Sequence, residues 1–374
     1  MQEGSNMKQV GILSMQRIAN YGSFLQAYGL KSILEELGCQ VQFVDYRIGT
    51  CLVEADGGYG VGRKLAKVAE VFRYRAPLAD KLRFIKYKKN YTANYIPLLG
   101  ISNEMNYTPE LDLLVIGSDE VFNCVQSNTN VGFSPELFGQ DHQAKKLISY
   151  AGSFGNTTLE KLEKYQIKQQ VAAYFQDFDA ISVRDDNSGK IVEALCGKCP
   201  QYHLDPVLAY DYMGKCEKIP QTVPETGYML LYGYSGRIKP EECKAIRAYA
   251  DKKGLKVYCI GGVQDCCDKF IDCNPFEVIA YFRNAECIVT DTFHGTIMSV
   301  ITHSNFATLI RKSGYGNSEK LTDLLKRLKL EGQTLDSMDR LDEILAQEIP
   351  YAETDRIIRE ERDRTYQYLQ QQIG

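Results

Sequence analysis

The chain has 374 residues, 44% of them hydrophobic and 25% charged, which is a globular composition with length for two ordinary domains. Lys and Arg number 44 against 48 Asp and Glu, a net charge of −4, so no general attraction to nucleic acid is expected. No run of about 18 apolar residues occurs, which excludes an ordinary membrane-spanning helix.

The first seven residues, Met1 to Met7, have neither a cationic n-region nor an apolar h-region, so no signal peptide is expected. Val10 to Leu13 reads as the first strand. A polar loop carrying Arg17, Asn20, Tyr21 and Gly22 follows, then a helix with apolar residues at Leu25, Leu30, Ile33, Leu34 and Leu37. The loop lacks G-x-G-x-x-G, so a dinucleotide fingerprint is absent. Asn20 or Ser23 is expected to cap the helix, which is compatible with ligand contact.

Val41 to Tyr46 is the next predicted strand. The span 61–90 then holds ten cations (Arg63 to Lys89) against Glu70 and Asp80, with Leu, Val and Phe interleaved. It reads as two basic amphipathic helices broken near Pro77. A solvated face is the default for such a pattern; a surface for anionic acceptors or an anionic bilayer is the sharper alternative.

Leu111 to Ile116 is a buried strand running into Gly117-Ser118-Asp119-Glu120-Val121-Phe122-Asn123. Leu147 to Tyr150 repeats the strand pattern before Ala151-Gly152-Ser153-Phe154-Gly155. A helix is predicted over Leu159–Phe175. Ala180 to Val183 is a further strand, ending in Arg184-Asp185, and Leu204-Asp205-Pro206 closes this half.

A second set of alternating elements begins near residue 220. Its strands are Tyr228 to Tyr232, Lys256 to Ile260, Cys287 to Val289 and Phe306 to Ile310, with helices between them. Strict β/α alternation in both halves predicts two doubly wound domains facing each other across a cleft. The expected boundaries are 1–206, with the basic insertion at about 61–90, then 207–335, then charged C-terminal helices over 336–374.

Twelve cysteines without an export signal point to reduced thiols in the cytoplasm. Cys196 and Cys199 stand at C-x-x-C spacing, but no second pair sits at zinc-ribbon distance, so neither a metal nor a cofactor is expected. Cys124 reads as a bystander thiol.

The chemistry concentrates in Thr290-Asp291-Thr292-Phe293-His294-Gly295-Thr296. Open α/β sheets bind ligands beyond the carboxyl ends of their strands. A helix starting there offers free N–H groups and a positive dipole end, which favour an anion. Gly295 is expected to allow close backbone approach to a ligand. The alternative for His294 is a capping or packing role in an ordinary turn.

Six blocks occur together in order: Asn20 to Tyr28, Gly117 to Asn123, Tyr150 to Gly155, Ser182 to Asp185, Leu204 to Pro206 and Thr290 to Gly295. Over about residues 10 to 325 the chain resembles the polysaccharide pyruvyl transferase family. It departs at Glu120-Val121-Phe122, where that family commonly shows Gln-Val-Trp, and at Thr292, where it shows Ser. The resemblance implies a GT-B-like fold of two Rossmann-like domains. It also implies phosphoenolpyruvate as donor and a sugar hydroxyl pair as acceptor, the product being a pyruvate ketal.

Such chemistry needs cations and N–H groups for a carboxylate and a phosphate, a proton for the donor methylene, and a base for the acceptor. His294 is the expected general acid, Arg184 a bidentate clamp on the donor, and Asp119 a candidate base. Arg184 could instead form an ion pair with Asp185 or Asp205. Asp291 is expected to orient the turn or His294, or to cap the helix. Thr292 belongs to the same turn, and Gly295 and Thr296 are expected to offer N–H groups. Asn20, Gly22, Ser118 and Asn123, with Arg17 and Tyr21, would face the acceptor from the other domain. Arg237 and Arg311 are weaker candidates for anion contact.

The acceptor would be a sugar or lipid-linked oligosaccharide, with peripheral contact to the inner membrane face through the basic span. The rival reading is a nucleotide-sugar glycosyltransferase of the same architecture, with Glu277 or Glu286 on a ribose.

Overall fold

The computed structural model describes residues 7–53, 71–311 and 318–374. Two six-stranded sheets, all parallel, carry the fold. The first contains β1 (Gln9–Leu13), β2 (Gln40–Phe43), β3 (Leu113–Asp119), β4 (Leu147–Gly152), β5 (Ser182–Val183) and β6 (Gln201–Tyr202), in the order β2-β1-β3-β4-β5-β6. The second contains β7 (Tyr228–Tyr232), β8 (Lys256–Ile260), β9 (Lys269–Phe270), β10 (Cys287–Thr290), β11 (Phe306–Leu309) and β12 (Thr334–Leu335), in the order β9-β8-β7-β10-β11-β12. Both orders reverse once, between β1 and β3 in the first sheet and between β7 and β10 in the second. The fold is α/β with two doubly wound, Rossmann-like sheets, as the sequence predicts. The two-residue edge strands β9 and β12 are too short to show any periodicity.

The central strands are apolar on both faces because helices cover both, so Leu113 to Ile116, Tyr228 to Tyr232 and Cys287 to Thr290 are buried throughout. The helices that matter for the site are α1 (Tyr21–Glu36), α2 (Leu78–Tyr95), α3 (Asp186–Cys196), α4 (Pro240–Lys253), α5 (Pro275–Arg283), α6 (Phe293–Ile301), α7 (Ser318–Arg327) and α8 (Tyr351–Ile373). The helix expected over Leu159–Phe175 is two, Leu159–Lys164 and Lys168–Tyr174, separated where Gln166 turns to φ 57°. Of the two expected basic helices, α2 is the second; of the first, only residues 71–73 are described, and they are helical.

Two connections cross between the halves. Helix α2 belongs to the first half by sequence but lies against edge strand β9 of the second. Tyr87 stacks on Tyr21 of α1 at 5.7 Å between ring centroids, while Phe84 meets Phe270 of β9 edge-on at 5.2 Å. Helix α8 follows the second half but returns to the first: Tyr368 donates to the Ser149 carbonyl at 2.8 Å and the Tyr150 hydroxyl meets Thr365 at 3.1 Å. One continuous apolar cluster therefore joins Val10 and Phe24 of the first half to Phe276, Ile288 and Leu369. No helix among the described residues is long and apolar enough to cross a membrane.

Candidate active site in the cleft between the two sheets

The reversal points of the two sheets face each other, and a chamber of about 200 Å³ lies between them. From the first half, Asn20, Ser23, Asp119, Glu120 and Arg184 line it. From the second come Tyr234 and Arg237 after β7, Thr292 to His294 at the start of α6, and Lys320 of α7. Apart from Ser23 and Lys320, which lie within helices, these groups reach the chamber because a strand ends there, which is where doubly wound sheets place ligands.

On the second half, Thr292 caps α6. Its hydroxyl accepts the Gly295 N–H at 2.9 Å, and the Thr292 carbonyl accepts the Thr296 N–H at 3.1 Å. The N–H groups expected from Gly295 and Thr296 are therefore engaged inside the protein. Helix geometry leaves the Phe293 and His294 amides without an intrahelical acceptor. Gly295 has an internal reason as well: a Cβ there would lie 2.1 Å from the Thr290 hydroxyl. The close approach it permits is to Thr290. The Thr296 hydroxyl is buried against Thr308.

Asp291 is buried and caps nothing. One oxygen lies 2.9 Å from Arg237 Nε, and the Asp291 carbonyl accepts Arg237 Nη2 at 3.1 Å. Arg311 stands behind, 3.8 Å from the same carboxylate and bonded to Glu242 at 2.5 and 2.9 Å. Burial raises the Asp291 carboxyl pKa, against the opposing pull of Arg237 and Arg311. Asp291 therefore contacts Arg237 rather than His294, with Arg311 behind both.

On the first half, Arg184 is almost fully enclosed, its side chain 3% exposed. Nη1 donates to Asp205 at 2.6 Å and Nη2 to Asp119 at 3.1 Å, and the guanidinium lies over the Phe293 ring at 4.6 Å. The fork expected to grip the donor thus holds two protein carboxylates, one of them the Asp205 partner weighed from sequence. Arg237 and Lys320 are the further cations that line the chamber.

His294 approaches the same Asp205 oxygen, Nε2 to Oδ2 at 3.5 Å, so Arg184 and His294 converge on one carboxylate. Burial works to raise the Asp205 carboxyl, but His294 and Arg184 outweigh it and hold it at about 2. Gly22 is also explained here. A Cβ on Gly22 would sit 2.3 Å from His294 Nδ1, so this glycine makes room for the imidazole rather than for an acceptor.

Asp119 has φ 73°, a left-handed conformation that Asp tolerates better than most residues. Its second oxygen accepts the Ser23 hydroxyl at 3.0 Å. Asn20 caps α1 through the Ser23 N–H at 2.7 Å and also lines the chamber, so both readings of Asn20 coexist. Glu120 pairs with Lys320 across the cleft. Burial opposes its charge, but Lys320 and then Arg184 hold the carboxyl down to about 2. The negative charge at position 120 is therefore neutralised from the opposite half.

Four expected contacts lie elsewhere. Arg17 is clamped by Asp45 at 2.5 and 2.8 Å, away from the chamber. Tyr21 is core, its hydroxyl on the Cys273 carbonyl. Ser118 is fully buried and donates to the Ala151 carbonyl. Asn123 turns inward to Glu120, Val125 and Thr157. Glu277, the ribose candidate of the rival reading, closes a capping box at the start of α5. Sequence reasoning misses two residues of the cleft, Tyr234 and Lys320, whose helix carries no motif, and weighs Asp205 only as a partner for Arg184. Among the described residues no group of His, Cys, Asp and Glu is arranged to hold a metal.

Several solved glycosyltransferases show a low similarity to the chain. UGT89C1 of Arabidopsis thaliana, complexed with UDP-L-rhamnose, is 9% identical with a TM-score of 0.49, covering 99% of both chains. LpCGTa in complex with UDP is 9% identical with a TM-score of 0.48, covering 98% of this chain and 99% of that one. SsfS6 of Streptomyces sp. SF2575, complexed with thymidine diphosphate, is 13% identical with a TM-score of 0.45, covering 97% and 99%. No curated protein sequence matches. The family described as polysaccharide pyruvyl transferase matches residues 20–312, from the cap of α1 to just beyond Arg311, a span that takes in every residue lining the small chamber except Met15, Ile18 and Lys320. The chain belongs to the polysaccharide pyruvyl transferase family.

Proposed function

We propose that this transferase moves a pyruvyl group from phosphoenolpyruvate to two hydroxyls of a sugar, in a cell-surface polysaccharide or its lipid-linked precursor. The observation that supports this most is the small chamber itself. It is sized for a three-carbon compound. Arg237 and the amides at the start of α6 offer positive charge for a carboxylate and a phosphate.

His294 delivers a proton to the donor methylene carbon, making it a methyl group. The adjacent carbon becomes electrophilic and takes one acceptor oxygen as that hydroxyl loses its proton. Phosphate leaves, the second hydroxyl adds with loss of its proton, and a cyclic ketal results. Asp205 steadies His294 and its transient positive charge. Asp119, bonded to Arg184 and Ser23, is the nearest candidate base on the first half.

The direct test is incubation with phosphoenolpyruvate and a panel of lipid-linked sugars, scoring phosphate release together with the mass of the sugar product. His294→Ala should lower kcat by about 10²–10³ with the fold intact. Phosphate release without a ketal, or turnover of a nucleotide sugar instead, would reject the reading.

A lipid-linked acceptor would place the enzyme at the cytoplasmic face of the membrane. Helix α2 suits that location. Leu78 and Leu82 are 61% and 54% exposed, with Phe72 close by in sequence, and Lys86 and Lys89 share the outer face. Sedimentation with anionic vesicles, weakened by salt and by Lys86→Glu with Lys89→Glu, is expected; salt-independent behaviour would remove this surface from the proposal.

A further inference from the structure

The cleft holds a second chamber that a three-carbon donor does not need. Its volume is about 480 Å³ against about 200 Å³ for the chamber beside His294. Arg184, Phe293 and Lys320 line both, so these three side chains form the wall between them. The larger chamber lies past the carboxyl ends of β5 and β6, bounded by α7 and by the Glu361 to Arg364 stretch of α8. Phosphoenolpyruvate would leave most of this space empty, whereas a sugar ring with a substituent would occupy it.

The polar groups are of two kinds. Asp186, Asp323 and Tyr202 offer carboxylate acceptors and a ring that is 39% exposed. Asp323 lies beside Asp186 and Asp185 on the chamber wall, where its carboxyl oxygens can accept from sugar hydroxyls. Lys326 and Lys329 are different. Both are exposed and make no salt bridge among the described residues. Arg364 is 65% exposed, with Glu361 at 2.8 Å as its acidic contact. Cations of one sign at the edge of a polar cavity attract an anion from solution. At the dividing wall, Arg184 Nε is buried and has no partner in the protein, so a ligand oxygen arriving from either chamber would complete it.

We propose that the larger chamber is the acceptor subsite and takes a sugar carried on a phosphate or diphosphate. Asp186, Asp323 and Tyr202 receive the sugar hydroxyls; Lys326, Lys329 and Arg364 receive the phosphate. This rests on reading the smaller chamber as the donor site. The reacting hydroxyls meet the donor at the Arg184–Phe293 wall. Asp205 lines the larger chamber and touches His294, which lines the smaller, so the acid is held from the acceptor side.

Titration calorimetry on the full chain tests this with two probes, inorganic pyrophosphate and phosphoenolpyruvate, against the parent and a Lys326→Glu/Lys329→Glu variant. Both substitutions are at exposed positions and leave the core untouched. Pyrophosphate should bind the parent, bind the variant about tenfold more weakly, and bind alongside phosphoenolpyruvate rather than compete with it. No pyrophosphate binding at millimolar concentration, binding indifferent to the variant, or competition between the two ligands would each overturn the proposal. Should phosphoenolpyruvate bind neither protein while the pyrophosphate response persists, the donor reading fails and the anion mouth stands. A second arm with farnesyl diphosphate and UDP separates lipid from nucleotide carriers. Tighter binding of either than of pyrophosphate supports a carried sugar, and weaker binding of both opposes it.

Discussion

The two halves share a topology and present opposite chemistry where their sheets reverse. The first half supplies acids: Asp119 and Glu120 after β3, and Asp205 after β6. The cation it brings to the same point, Arg184, is enclosed by two of them. The second half supplies positive groups: Arg237 after β7, the start of α6, and Lys320 from α7. Its acids here, Asp291 on Arg237 and Glu242 on Arg311, are both buried. The difference teaches that charge type alone does not identify an anion clamp. Arg184 and Arg237 are both arginines in the same chamber, but the former is a hub for its own half and the latter is held from behind and presented.

The comparison is broken most directly at Arg184. If it is a hub, Arg184→Ala leaves Asp119 and Asp205 without their shared counter-charge. The expected loss is about 3–5 kcal/mol of stability, read as a fall in denaturant midpoint at constant slope. A loss below about 1 kcal/mol would return Arg184 to ligand binding. Acid unfolding sharpens the same point. Asp205 is held at about 2, below the ordinary carboxylate range. A carboxyl lowered by folding stabilises fully above its unfolded pKa, and the contribution disappears as pH falls through the folded value. The protein should therefore lose on the order of 2 kcal/mol between about pH 4 and pH 2. Asp205→Asn should flatten that part of the curve; an unaltered slope would show that Asp205 is not the group responsible. The smallest expected effect is at the seam. Gly22→Ala places a methyl group against the His294 ring while improving helix propensity. Turnover should fall about tenfold with thermal stability little changed; parent-like turnover would mean the ring has another position available.

Much of this architecture was legible in the sequence, for physical reasons that differ by element. Cys287 to Thr290 reads as a strand because a covered parallel sheet demands apolar, β-branched residues on both faces. The turn after it was legible because a strand end followed by a helix start is where polar residues gather. Lys320 was not legible. Its partner Glu120 lies 200 residues away, and within its own helix it is an ordinary cation at an amphipathic position. Arg17 misled for the opposite reason: it stands in a loop at the reversal point, but Asp45 at the end of the neighbouring β2 strand captures it. Gly295 reads as an opening for a ligand and Gly22 as part of the acceptor face, but a side chain at either would collide with another part of the protein. Sequence shows that space is required at a glycine but not which neighbour fills it. The return of α8 to the first half also left no local trace, because an exposed, charged amphipathic pattern is the same whichever surface it covers.

That return has a bearing on how the chain could be dissected. With α2 lying across one seam and α8 crossing back over the other, a cut after residue 206 would strip Tyr150 and Ser149 of their cover and part Phe24 from Phe276. Neither piece would inherit a finished interior, so the protein should melt in one calorimetric peak rather than two, and shuffling halves between relatives should fail unless both braces travel with them.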